Sequence, residues 1–179
     1  MELYDLYTKD RVRTGQTGVR GEPVPPGFYR LVVHVCIFNS RGEMLIQQRQ
    51  PFKRGWSNLW DVSVGGNAVA GDTSPAAAMR EVREELGLTL DLTESLPACT
   101  VYFADGFDDF YIVRQDTDLK TLRLQPEEVQ QVKWAAREEI HALIDSGAFI
   151  PYEKSLIDFL FFLRQHKGSH TRPDNSPLR

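Results

Sequence analysis

Glu81, Glu84 and Glu85 fall within five consecutive residues, and Arg80 stands directly before them. On a helix, at about 100° per residue, the three carboxylates span an arc of about 100° and point the same way. Like charges so placed repel one another unless a cation or a basic partner offsets them. Arg80 lies one turn before Glu84 and can pair with it on the flank of that arc. An oxygen-only donor set of this kind suits Mg²⁺ or Mn²⁺ and argues against a zinc site built from Cys and His. The chemistry it points to is metal-assisted work on phosphate. The bland alternative is a solvated helix whose charges only confer solubility.

Such a cluster needs a helix anchored on one side. Ala78, Met79, Val82 and Leu86 form a stripe next to the carboxylates and would seat the helix on a core. Ser74 is the expected N-cap, Pro75 suits the first helical position and Gly87 suits the end. Trp60–Val64 reads as a strand leading into Gly65-Gly66 and then the helix. Upstream, residues 1–22 read as a short paired-strand or turn segment reversing at Lys9-Asp10. Leu31–Phe38 is an apolar run expected for a buried strand, turned by Ser40-Arg41-Gly42 into a second strand, Met44–Gln48. Cys99–Phe103, Phe110–Val113 and Val132–Ala135 complete the expected strands. Helices are expected over Arg137–Ser146 and Lys154–Gln165, with Phe159, Phe161 and Phe162 as core or helix-docking side chains. Mixed strands with helices on two sides make an α/β protein, an α/β/α sandwich.

A chain of 179 residues suits one domain, expected over 1–165, with 166–179 as a flexible C-terminal tail. The net charge of −4 leaves no electrostatic footprint for nucleic acid. Two cysteines cannot make a disulfide framework, so a reducing cytoplasm is the expected setting. No signal peptide or membrane-spanning run is visible, so no membrane partner is expected.

The spacing over residues 66–88 resembles the Nudix box. That box reads Gly, five residues, Glu, seven residues, then Arg-Glu-aliphatic-any-Glu-Glu-any-Gly-aliphatic. Gly66, Arg80, Glu81, Val82, Glu84, Glu85, Gly87 and Leu88 all match; the first glutamate is replaced by Asp72, one methylene shorter. The resemblance implies a Nudix-type α/β/α sandwich with a mixed central sheet. It also implies that Glu81, Glu84 and Glu85 bind Mg²⁺ or Mn²⁺, joined by the carbonyl of Gly65, and that Arg80 orients the glutamates. Asp72 is implied to be peripheral to the metal.

Phe38-Asn39, the stretch from Trp56 to Trp60, and Val64-Gly65-Gly66 are similar to the isopentenyl diphosphate isomerase branch of that superfamily. The isomerase reaction needs a cysteine where this chain has Gly65. Its metal histidines align with Arg30 and Asn67, and neither is histidine. A glycine cannot protonate carbon, so hydrolysis is favoured over isomerisation. In the related isomerases the basic residues of this segment grip the diphosphate, which makes Arg49, Lys53 and Arg54 the expected substrate contacts. Trp56 either stacks on a base or covers the core. Asp108-Asp109 reads as a solvated turn with a lesser prospect of completing a cation shell. Glu127-Glu128 is a weak candidate for base or extra ligand, and His34 reads as a satisfied core or edge histidine. The expected function is Mg²⁺-dependent hydrolysis of a diphosphate linkage in a nucleoside diphosphate derivative or a nucleotide. The alternatives are an isomerase-like enzyme and a non-catalytic ligand-binding module.

Overall fold

The structure, a computed structural model, describes residues 2–166 and 168. Its central strand is β3 (Arg30–Phe38), whose apolar run pairs in parallel with β8 (Gly106–Arg114) and antiparallel with β6 (Val64–Asn67). Because side chains alternate along a strand, Val33, Val35 and Ile37 enter one core layer while Cys36 and Phe38 enter the other. The first layer is closed by α1 (Ser74–Leu86) through Ala77, Ala78, Val82 and Leu86. The second is closed by α2 (Arg137–Asp145) and α3 (Lys154–Leu163) through Ile140, Ile157, Leu160 and Phe161. The result is the expected α/β/α sandwich on a mixed sheet.

The feature that makes a site is a fork in that sheet. β4 (Met44–Arg49) meets β3 at one residue pair, Phe38 with Met44, and then diverges to pair with β5 (Trp60–Asp61) and β9 (Val129–Ala135). The chain crosses the gap at Val62-Ser63. There the buried Ser63 hydroxyl accepts from Ile37 N at 2.8 Å and donates to Leu45 O at 2.5 Å, bridging the diverging strands. Trp60–Val64 is therefore not one strand. It is split between the two arms of the fork because its middle spans them.

β7 (Cys99–Phe103) extends the sheet beyond β8, which starts at Gly106, ahead of its expected start at Phe110. β1 (Leu3–Tyr7) and β2 (Arg13–Val19) form a separate hairpin reversing over residues 8–12, as the Lys9-Asp10 signal implied. The cap of α1 is Thr73, whose side chain accepts from Ala76 N, and not Ser74; Ser74 instead donates to Asp109 at 2.6 Å. Gly87, at φ 68°, ends the helix in the left-handed conformation expected of it. Phe161 is buried as expected, but Phe159 and Phe162 stay partly exposed and stack on each other at 6.3 Å. The tail expected over 166–179 lies outside the described residues, His166 and Gly168 apart. Among the described residues no helix is long and apolar enough to cross a membrane.

Candidate active site at the fork

The open end of the fork is a cleft of about 1230 Å³. Glu81, Glu84, Glu85 and Arg80 enter it from α1, Gly65 from β6, and Arg49, Lys53 and Arg54 from the end of β4 and the loop after it. The eight main catalytic, metal-binding and substrate-binding candidates from the sequence all line this one space, whereas Asp109, a lesser prospect, lies outside it.

Arg80 organises the acidic wall. Its Nε donates to Asp72 at 3.1 Å, one terminal nitrogen donates to Glu81 and Glu84 at 3.0 Å each, and the other donates to the carbonyl of Asn67 at 3.0 Å. Burial alone would lower the pKa of its guanidinium. The Glu81 charge and the hydrogen bond to Asp72 outweigh that, and the net shift is upward. Asp72 thus has a definite place in spite of its shorter side chain: it accepts from Arg80 Nε behind the acidic wall and from Val69 N at 3.3 Å.

Glu81 packs against the backbone of Gly66. A Cβ on residue 66 would fall 2.2 Å from the Glu81 carboxyl carbon, so only glycine lets the carboxylate lie there. Glu85 is buried and accepts from Gln47 Nε2 at 2.8 Å. Burial pushes its carboxyl pKa well above the ordinary range, the Glu81 charge adds to the rise, and Gln47 opposes it only in part. The pKa of Glu81 is also raised, by burial first, against the pull of Arg80. Glu84 keeps 46% of its side chain exposed and is held by Arg80.

Asp72, Glu81 and Glu84 share one arginine, and Glu85, the most buried of the box glutamates, has only a neutral amide. This donor set fits a hard divalent cation. As the side chains stand, no three His, Cys, Asp or Glu groups among the described residues are gathered closely enough to hold one. One Arg80 nitrogen bonds Glu81 and Glu84 together, so a cation taking both must compete with that contact.

The opposite wall differs from expectation. Lys53 is paired with Glu128. Arg49 lies 3.9 Å from Asp61, and its buried Nε has no partner. Arg54 reaches the cleft with no ion-pair partner among the described residues. His34 is not a satisfied core histidine: it lines the cleft, its Nε2 is 3.1 Å from Asp108 Oδ1, and its buried Nδ1 has no partner. Asp108-Asp109 is not a solvated turn either. Asp109 is fully buried on the other face, gripped by Arg11 at 2.9 and 2.6 Å and by Thr100 and Ser74 at 2.6 Å each. The buried Asp61, which accepts from Tyr152 at 3.0 Å, and Gln47 gave no readable signal in the sequence. Both sit on short strands whose sidedness depends on the fork.

Fold and side chains together define a mixed-sheet α/β/α enzyme domain that sets an acidic helix against a basic loop. Residues 28–160 match the family described as NUDIX domain, and the chain belongs to that family: it is a Nudix hydrolase. It is 47% identical over 165 residues to an uncharacterized Nudix hydrolase of Listeria monocytogenes, covering 92% of this chain and 93% of the relative. The crystal structure of DR0079 from Deinococcus radiodurans matches with a TM-score of 0.69 at 27% identity, covering 89% of this chain and 97% of that one. An isopentenyl-diphosphate Delta-isomerase of Citrobacter koseri is 26% identical over 125 residues, 65% of this chain and 68% of the isomerase. The family works with divalent metal ions.

At the isomerase cysteine position, a Cβ on Gly65 would meet His34 Nδ1 at 3.0 Å, so a side chain there would require the imidazole to give way. The two isomerase histidine positions, Arg30 and Asn67, lie side by side here and share a 3.3 Å hydrogen bond.

Proposed function

We propose that the protein is a Mg²⁺- or Mn²⁺-dependent hydrolase of a diphosphate linkage in a nucleoside diphosphate derivative or a nucleotide. The observation that carries this reading is the meeting of Glu81, Glu84 and Glu85 with Arg49, Lys53 and Arg54 across one cleft. Acid alone would hold a cation, and base alone would hold an anion. Their opposition suits a metal–diphosphate complex.

Glu81, Glu84 and Glu85 are the proposed ligands, with the carbonyl of Gly65 beside them. Bound there, a divalent ion would supply charge neutralisation of the diphosphate and a more acidic water. The chain does the rest. Arg80 fixes the glutamates, Gln47 holds Glu85 in place, and Gly66 gives Glu81 its room. Arg49 and Arg54 bring unmatched donors to phosphate oxygens, and charge-assisted bonds of this type orient the anhydride for attack. Lys53 joins them on release from Glu128. We place this activity in the cytoplasm, in keeping with the free Cys36 and Cys99.

The test is a panel of nucleotide sugars, dinucleotides, nucleotides and isopentenyl diphosphate incubated with Mg²⁺, with products separated and phosphate release measured. Hydrolysis of at least one compound, abolished by EDTA, is expected. Conversion of isopentenyl diphosphate to its isomer would overturn the hydrolytic reading. Binding without turnover across the whole panel would favour the non-catalytic module.

A further inference from the structure

The loop that carries Asp72 is held from outside the box. Residues 68–73 run from β6 into α1 and turn at Gly71, whose φ of 93° suits glycine and leaves the turn no side chain to stiffen it. Asp72 must nonetheless keep its carboxylate on Arg80 Nε, and Arg80 in turn sets Glu81 and Glu84. The turn is tied instead to the hairpin of β1 and β2, which lies ahead of the NUDIX span.

Three consecutive loop residues are bound to that hairpin. Ala70 N donates to Leu3 O at 2.8 Å, and Gly71 N donates to Asp5 Oδ2 at 2.9 Å. Arg13 grips the same stretch by its carbonyls, one terminal nitrogen donating to Gly71 O at 3.5 Å and the other to Asp72 O. Arg13 is itself fixed. Its Nε donates to Tyr7 Oη at 3.1 Å and lies 3.3 Å from Asp5 Oδ2, and its guanidinium sits over the Tyr7 ring at 5.9 Å. Tyr7 is buried edge-on against Phe107 and exchanges backbone hydrogen bonds with Tyr29 in both directions, so the grip ends in the core.

An ion pair with 40% of its arginine exposed contributes little stability by itself. The use of this one lies in where its donors fall, on the backbone of the residue whose carboxylate holds Arg80. A small shift of that backbone would carry the 3.1 Å contact past hydrogen-bond length and free one side of Arg80. We propose that Arg13, seconded by Asp5, is a positioning residue of the active site. It clamps the Gly71-Asp72 backbone so that Asp72 holds Arg80, and Arg80 holds Glu81 and Glu84 in place. The consequence for metal affinity rests on the proposed metal-dependent hydrolase; the clamp on Arg80 does not.

Two readouts on the full chain separate the clamp from general stability. The first needs no metal: the side-chain Nε–H resonance of Arg80, assigned by its loss in Arg80→Lys, whose exchange with water reports the bond to Asp72. The second is Mn²⁺ affinity, read from the paramagnetic resonance signal of the free ion. Arg13→Met keeps an apolar stem over Tyr7 and removes the donors. It should speed Arg80 Nε–H exchange by about 5-fold or more, weaken Mn²⁺ binding by about 5-fold or more, and lower kcat while moving KM less. Arg13→Lys keeps a charge beside Asp5 and a donor for one carbonyl, and should recover part of each. Asp5→Asn loosens the same loop from the other partner and should move both readouts the same way by less. In an Asp72→Ala background, Arg13→Met should weaken Mn²⁺ binding no further, because the clamp acts through Asp72. Thr14→Val removes the 2.8 Å bond from Thr14 Oγ1 to Leu6 O inside the hairpin and should leave both readouts at wild-type values. Thermal melts establish that each variant is folded.

Exchange at Arg80 and Mn²⁺ affinity unmoved by Arg13→Met and Asp5→Asn would overturn the proposal. So would an equal response to Thr14→Val, which would trace the effect to hairpin stability alone, or an undiminished Arg13→Met effect in the Asp72→Ala background. The two readings fail separately. Arg13-dependent exchange at Arg80 in a protein that binds no Mn²⁺ leaves the clamp standing and removes the metal. Mn²⁺ binding that Glu85→Gln abolishes, with exchange at Arg80 indifferent to Arg13, does the reverse.

Discussion

The two walls of the cleft are finished to different degrees. On the α1 wall the charged groups are tied to one another: Arg80 makes four hydrogen bonds, Glu85 has Gln47, whose buried Oε1 is itself unpartnered, and Gly66 leaves a fitted space for Glu81. On the wall opposite, Arg49 Nε and His34 Nδ1 are buried without partners and Phe52 and Trp56 face solvent. The difference teaches which part is set before ligand arrives. A metal site needs carboxylates held in place against their own repulsion, so its supports are internal. The wall proposed to bind substrate keeps Arg54 and two rings open to the cleft, where a substrate would supply partners.

The sharpest way to break this contrast is at Glu85. Replacement Glu85→Gln keeps the shape and the link to Gln47 but removes a charge from the proposed metal, and kcat should fall by about 100-fold or more. Activity that survives this change would sink the metal assignment. Gly66→Ala should come next. Its Cβ overlaps the Glu81 carboxyl, so turnover should drop by roughly 10-fold or more, with stability lowered by about 1–3 kcal/mol, read from denaturant melts.

A change on the other wall should behave differently. Arg49→Ala should raise KM by about 10-fold while moving kcat less, as expected for a group that binds phosphate in ground and transition states alike. A fall in kcat at constant KM would instead move Arg49 into the transition state.

Stability against pH separates the walls again. The folded-state pKa of Glu85 lies above its unfolded value, so its contribution to stability is fully present below the ordinary carboxyl range. That contribution is lost as pH rises through the folded value. The metal-free protein should therefore melt at lower temperature at about pH 8 than at about pH 5, and Glu85→Gln should flatten the slope. Saturating Mg²⁺ should raise the melting temperature more at the higher pH. A slope unchanged in Glu85→Gln would place its origin elsewhere. The smallest effect expected is Thr73→Ala, which removes the α1 cap for about 1 kcal/mol, whereas Ser74→Ala should act through Asp109 and leave the cap alone.

Much of the acidic wall was legible because it is local. The carboxylates and Arg80 lie within two turns of one helix, and helical spacing alone puts them on one face. The strands of β3, β4, β7 and β9 were legible for a similar reason, as apolar runs between turn residues. What could not be read was sidedness across the sheet. His34 in an apolar run looks like a core residue until β8 brings Asp108 beside it. Asp108 and Asp109 are neighbours in sequence, yet the pleat sends one to the cleft and the other to a buried clasp with Arg11, 98 residues away.

By itself, then, the sequence determined the family, the layered fold and the acidic helix, because each rests on short-range spacing that the chain cannot escape. The tertiary structure alone decided that β3 and β4 part after a single residue pair, and so that a cleft exists. It decided that Asp72 restrains Arg80, that Glu81 and Glu84 share one Arg80 nitrogen, and that Trp56 stands in the open. Those outcomes depend on which strands find one another across long loops, and only a completed sheet with its forks, burial and pairings sets them.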